Sequence, residues 1–260
     1  MGWLKSRRLH YWLGATAILF VLFALLRVLF FFGYSGFDAK ALGNEDVLTT
    51  LGIGFRFDLR LAILVMLPLA LLAWIPRWNL ISSRLVRGIA RLYLVAILSA
   101  LLLVYIIDFG HYAYLGVRIN ATVLRFIDDA QISRDMVWQT YPVIWISLGW
   151  LATVAFVTLA LVRLERVTLD RPRKAIHPLS ATWGSALMVV LVLLGILGRV
   201  EHLNFENPVP LRWSDAFFSG NNQVAALGLN PVIFFYDTVK VGHLRYDEAQ
   251  VRQHYAVMAN

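Results

Sequence analysis

Gly52-Ile53-Gly54-Phe55-Arg56-Phe57-Asp58-Leu59-Arg60 runs directly into Leu61-Ala62-Ile63-Leu64-Val65-Met66-Leu67-Pro68-Leu69-Ala70-Leu71-Leu72-Ala73-Trp74. The second half is an apolar run of the kind that fills a bilayer. The first half writes three charges into its leading end. A charge at the bilayer centre costs about 2.5–3.5 kcal/mol on insertion scales, so charges in a span are paired, near an interface, or functional. Arg56 and Arg60 are four residues apart and share a helical face, while Asp58 points roughly the other way. Asp58 therefore cannot neutralise both arginines along its own helix. At least one arginine is expected to reach another helix, a lipid phosphate or water. The plainer reading is that all three charges sit at headgroup depth and end the span, with the arginines snorkelling.

The whole composition agrees with a membrane chain. Of 260 residues 59% are hydrophobic and only 15% are charged, and the mean hydropathy is +0.66. These values exclude an ordinary soluble domain. The net charge is +8. The basic residues cluster in short loops between apolar runs, which is the footprint of membrane topology, so no nucleic-acid partner is expected. There is no cysteine, hence no disulfide framework, thiolate metal site or cysteine nucleophile. Lys5, Arg7 and Arg8 precede an apolar run longer than a signal-peptide core, which reads as a retained anchor.

A helical span needs roughly 20 apolar residues. Five such spans are expected, at about 11–32, 53–75, 89–114, 143–162 and 181–198, the first with one internal charge, Arg27. A polar loop is expected over 33–50. Ile119, Val123, Phe126, Ile127 and Ala130 recur at helical spacing among charged residues, predicting an amphipathic helix at about 117–138 that lies in the interface. Residues 201–260 form a linker rich in turn signals. Asn230-Pro231 predicts a short helix through about Lys240, and Asp247-Glu248-Ala249-Gln250 a capping box for a last one. The expected fold is thus all-α and polytopic: a five-helix membrane domain over 1–200, then the outer tail. Basic residues crowd the N-terminus, the 77–91 loop and the 163–178 loop, which places those three in the cytoplasm and the C-terminus outside.

This topology gathers polar residues at the outer face. Arg56, Asp58 and Arg60 open the second span, Asp108 and His111 end the third, Arg118 and Asn120 follow, and His202 and Asn204 follow the fifth. Arginines bind phosphate bidentately, so the cluster suits a lipid headgroup. The plainer reading is that these residues lock helix ends together. Asp108 and His111 have i, i+3 spacing, but two ligands do not make a metal site, and none is expected in this chain. There is no phosphate loop, HExxH or GxSxG, and no catalytic residue is assigned.

Several short motifs carry a family resemblance: Gly54-Phe-Arg-Phe-Asp-Leu59 opening the second span, Asp108…Tyr112…Arg118-Ile-Asn120 leaving the third, Tyr141-Pro142 opening the fourth, and Asn230-Pro231 in the tail. With five spans and an inside N-terminus, the chain resembles the membrane domain of lipoteichoic acid synthase-like proteins. These belong with the phosphoglycerol and phosphoethanolamine transferases of the sulfatase and alkaline-phosphatase superfamily. The resemblance implies a bacterial cytoplasmic membrane and a membrane phospholipid as partner. It also implies an extracytoplasmic catalytic domain, on the same or a separate chain, with a threonine nucleophile and a divalent metal, usually manganese. Residues 1–260 carry no such domain, so the expected role is anchoring and headgroup presentation, with 115–140 and 221–240 as a docking collar. A small transporter subunit or a non-catalytic assembly partner are the competing readings. Pro68 alone is a weak case for the broken spans of transporters.

Overall fold

The computed structural model describes residues 7–33, 44–72, 83–127, 130–170, 178–197 and 211–242, and every regular element among them is helical. The long helices are α1 (Arg7–Gly33), α2 (Asn44–Leu72), α3 (Arg84–Leu115), α5 (Val143–Leu169) and α6 (Pro178–Leu197). The short ones are α4 (Ala130–Thr140), α7 (Asn222–Gly228) and α8 (Pro231–Gly242), with 3₁₀ turns at Ala121–Ile127 and Trp213–Phe217. Local chemistry sets several ends. Ser83 Oγ accepts from Val86 N at the start of α3, and Gly116 ends it in the left-handed region (φ 69°), donating to the Tyr112 carbonyl.

α1, α3 and α5 are long and apolar enough to cross a membrane. α2 has the length but carries Arg56, Asp58 and Arg60, and α6 has an apolar stretch over Ala186–Leu197. α1 packs between α2 and α5, α3 against α5, and α6 against α2. Leu19, Phe23, Phe30, Phe57, Met66 and Leu98 fill the interior. The outward faces are also apolar: Val21, Leu25, Leu92, Leu148, Phe156 and Leu159 are all exposed. On α5 only 6% of the apolar window is buried. An apolar surface on that scale is untenable in water and normal in lipid.

The helices exceed the expected spans. α2 begins at Asn44, inside the expected 33–50 loop, because Val47, Thr50 and Leu51 continue its inward stripe. α5 runs past 162 to Leu169, since Leu161, Glu165 and Leu169 still face the bundle. The single interfacial helix expected at about 117–138 is divided. Residues 118–120 are non-helical, because Arg118 and Ile119 turn inward onto Asp108. The predicted capping box at Asp247 lies outside the described residues.

Candidate functional site

Arg27 sits two turns before the end of α1, where no water can solvate it, so all five guanidinium donors must find acceptors. They do. Nε and Nη2 form a fork with the Asp58 carboxylate at 2.8 Å each. Nη2 also donates to the Gly54 carbonyl (3.0 Å), and Nη1 donates to the carbonyls of Leu227 and Leu229. Gly54 is what admits the guanidinium to the α2 backbone: a Cβ there would lie 2.5 Å from Arg27 Cζ. The Gly54-x-x-x-Asp58 spacing thus presents a carbonyl and a carboxylate one turn apart on one face.

Asn230 completes the site. Its amide donates to Asp58 Oδ1 and to Tyr105 Oη, each at 2.8 Å. Its Oδ1 accepts from Val232 N and Ile233 N, capping α8 as the Asn-Pro pair predicts. One buried side chain therefore caps a tail helix while bonding both α2 and α3.

A second ion pair lies beside the first. Arg118 Nη1 bonds Asp108 Oδ2, and Asp108 Oδ1 accepts from Ile119 N at 2.9 Å. Arg118 Nε donates to the Ala226 carbonyl (2.9 Å) and Nη2 to that of Leu229 (3.3 Å). The last carbonyls of a helix lack intrahelical partners and carry its negative dipole end. Arg27 and Arg118 meet that need for α7, drawing residues 226–230 into the bundle end. Aromatic rings wall the site. Arg118 Cζ lies 3.6 Å from the Phe30 ring centroid, and Phe23 stacks on Tyr105.

The sequence-nominated residues part company here. Asp58, Asp108 and Arg118 are buried and bonded internally, not presented to a headgroup. His111, one turn from Asp108, turns away, and its Nδ1 meets the Val117 carbonyl at 2.9 Å. Asn120 Oδ1 accepts from Thr122 N and Oγ1, opening the 3₁₀ turn. His202 and Asn204 lie outside the described residues. Arg60 reaches the tail, donating to the Leu211 carbonyl at 2.8 Å, while its Nε is buried without a hydrogen-bond partner among the described residues. Arg56, on the same face, is half-buried and engaged. Burial raises the Asp237 carboxyl above its ordinary value, with Arg60 and Lys240 opposing the shift.

Sequence reasoning left Arg27, Tyr105 and Asn230 out of the site. A lone arginine in one span and a lone aspartate in the next were the available signal for the first. Nothing local marked Tyr105, and Asn230 showed only its capping role. The opposite end of the bundle holds a second cluster: Arg91 forks onto Glu165 (2.7 and 2.8 Å), Arg87 meets Asp170 (2.6 Å), and Arg7 donates to the Leu169 carbonyl. No three His, Cys, Asp or Glu side chains converge as a metal site among the described residues.

Along α3 the two clusters are separated by Arg91 to Asp108, about 25 Å at 1.5 Å per residue, and along α1 by Arg7 to Arg27, about 30 Å. No family model matches the chain, and comparison with characterised proteins and with solved structures gives no match.

Proposed function

We propose that this chain is the membrane anchor and headgroup-presenting domain of a sulfatase-superfamily transferase. In this reading α1, α2, α3, α5 and α6 all cross the bacterial cytoplasmic membrane, with the N-terminus inside and the tail outside. The separation of the charged clusters supports it, since a hydrocarbon core is about 30 Å thick. The observation that carries it is the lock on residues 226–230 by Arg27, Asp58, Asp108 and Arg118. A tether that merely linked two bodies would not draw two buried ion pairs onto its backbone. A platform that must hold a catalytic domain at fixed height over the lipid surface needs such a joint.

The headgroup role falls on Arg60. It lies two residues past Asp58 on α2, half-buried beside the tail, where its guanidinium already donates to the Leu211 carbonyl. A lipid phosphate is a natural acceptor. The manganese-dependent threonine chemistry belongs to the catalytic domain that the resemblance implies. That domain would take phosphoglycerol or a related headgroup from the lipid to an extracytoplasmic acceptor.

Native mass spectrometry of the purified chain tests the lipid part. Phosphatidylglycerol is expected to be retained over phosphatidylcholine, and Arg60→Ala to lower that retention while Arg84→Ala, at the opposite end, does not. Equal retention of both lipids overturns the headgroup role. Deleting the gene is expected to abolish transfer of labelled phosphoglycerol to an extracytoplasmic acceptor, and unchanged transfer overturns the transferase assignment.

A further inference from the structure

The tail is held at a definite depth. Asn230 bonds Asp58, so α8 starts at the level of the buried network. Two turns on, Thr238 Oγ1 accepts from Ala121 N (3.0 Å), three residues past Arg118, which is itself tied to Asp108. α8 is therefore tied at Asn230 and at Thr238 to two points close to the buried network, which favours a helix running across the bundle end instead of rising from it. The Trp213–Phe217 turn is pinned too. Arg60 holds Leu211, and a Cβ on Gly228 would lie 3.1 Å from both Ala216 Cβ and Thr50 Cγ2. Thr50 lies about 12 Å outward of Asp58 along α2 at 1.5 Å per residue. The turn and α8 thus occupy a layer from the hydrocarbon edge to headgroup depth, given about 40–45 Å for a whole bilayer.

The side chains these elements leave uncovered match that layer. Phe217, Phe218 and Tyr236 are 39%, 46% and 67% exposed. Lys240 follows Tyr236 by one turn on the same exposed face of α8. Aromatic rings with a snorkelling lysine are what the membrane–water interface selects. Exposed Tyr114, Leu115, Ile144 and Trp145, at the same ends of α3 and α5, continue the belt.

We propose that α8 and the Trp213–Phe218 turn lie in the outer-leaflet interface, with Phe217, Phe218 and Tyr236 inserted among lipid headgroups. The tail is then an in-plane collar to Gly242, not a stalk. The occupant of the aromatic face is the lipid surface itself. This rests on the membrane-anchor reading above and adds where the tail runs.

The absence of cysteine permits single nitroxide labels. Phe217→Cys, Phe218→Cys and Tyr236→Cys are made in the full chain, labelled and reconstituted in vesicles of phosphatidylcholine and phosphatidylglycerol. Phe156→Cys on the uncovered face of α5 marks lipid, and Asn222→Cys on α7 marks water. Phe218, Tyr236, Phe156 and Asn222 are surface positions, and circular dichroism checks that Phe217→Cys folds, because that ring packs on Trp213 with centroids 5.6 Å apart. The oxygen-to-nickel-chelate accessibility ratio at the three collar sites is expected to lie several-fold above that at Asn222 and below that at Phe156. Collar sites that match Asn222 while Phe156 reads as lipid overturn the collar and leave the anchor standing. A water-like value at Phe156 overturns both.

Discussion

At one end of the bundle Arg27 and Asp58 pair with side chains 2% and 0% exposed; at the other, Arg91 and Glu165 form the same two-pronged pair with Arg91 46% exposed. The chemistry is alike and the surroundings are not. Arg91 keeps part of its hydration, and Glu165 has Arg87 at 3.5 Å as a second partner. Arg27 has surrendered its water and is satisfied by protein atoms alone, most of them carbonyls of other segments. An ion pair taken out of water is a weak stabiliser but a strong constraint, because removing one partner strands the other. The half-exposed cluster fastens helix ends that already pack. The buried cluster makes the tail part of the bundle.

The contrast can be broken most severely at Asp58. Asp58→Ala leaves Arg27 without its counter-charge and is expected to cost about 3–5 kcal/mol, read as a collapse of the melting temperature in detergent. Replacing both partners, Arg27→Met with Asp58→Leu, sharpens the point. It removes the charges but also strips the Leu227 carbonyl of its donor and leaves the Leu229 carbonyl to Arg118 alone. The double variant is expected to keep its helices by circular dichroism yet lose protection of the tail against protease. Protection equal to the wild type would show that the Arg27 contacts do not hold the tail.

Asn230→Ala comes next. It removes two donors and two acceptances from a buried site, at about 1–3 kcal/mol for the unsatisfied groups left behind. Hydrogen exchange is expected to rise in α7 and α8 before it rises in α1–α3. Gly54→Ala pushes a methyl into the Arg27 guanidinium, an overpacking cost of about 1–3 kcal/mol that Gly52→Ala, with open space around it, does not share. Thermal unfolding of the two alanine variants side by side checks this.

At the other end Arg91→Ala is expected to cost less than Asp58→Ala, because the buried Glu165 keeps Arg87 at 3.5 Å, and to show a salt dependence that the Asp58 variant lacks. The smallest effect belongs to Asp237. Its carboxyl is raised in the folded chain, so the folded state favours the protonated form. That contribution is present below the ordinary carboxylate range and is lost as pH rises through the raised value. Asp237→Asn is therefore expected to gain slightly in melting temperature over the wild type near neutral pH, and the gain to vanish in acid. A gain that is the same at both pH values would remove burial as the cause.

The helices were legible in the sequence because hydropathy is a local property. The Asn230-Pro231 pair marks a helix start through contacts within a few residues, and the structure places the cap there. The boundaries moved where inward-facing residues such as Thr50 and Glu165 looked polar in sequence and proved buried. In sequence the Arg56-to-Arg60 stretch reads as two arginines on one face and Asp58 on the other, all at the outer leaflet and all suited to a headgroup. The structure separates them: Asp58 turns into the bundle and Arg60 onto the tail.

Composition and periodicity by themselves determined that the chain is helical, apolar and marked by charges at the helix ends. Only the tertiary structure decided which charge meets which. Arg27, Asp58 and Asn230 are 31 and 172 residues apart in the relevant pairs. Their meeting depends on the rotation and depth of three segments at once. No local pattern encodes that. The requirement that a buried guanidinium satisfy every donor selects it once the helices pack.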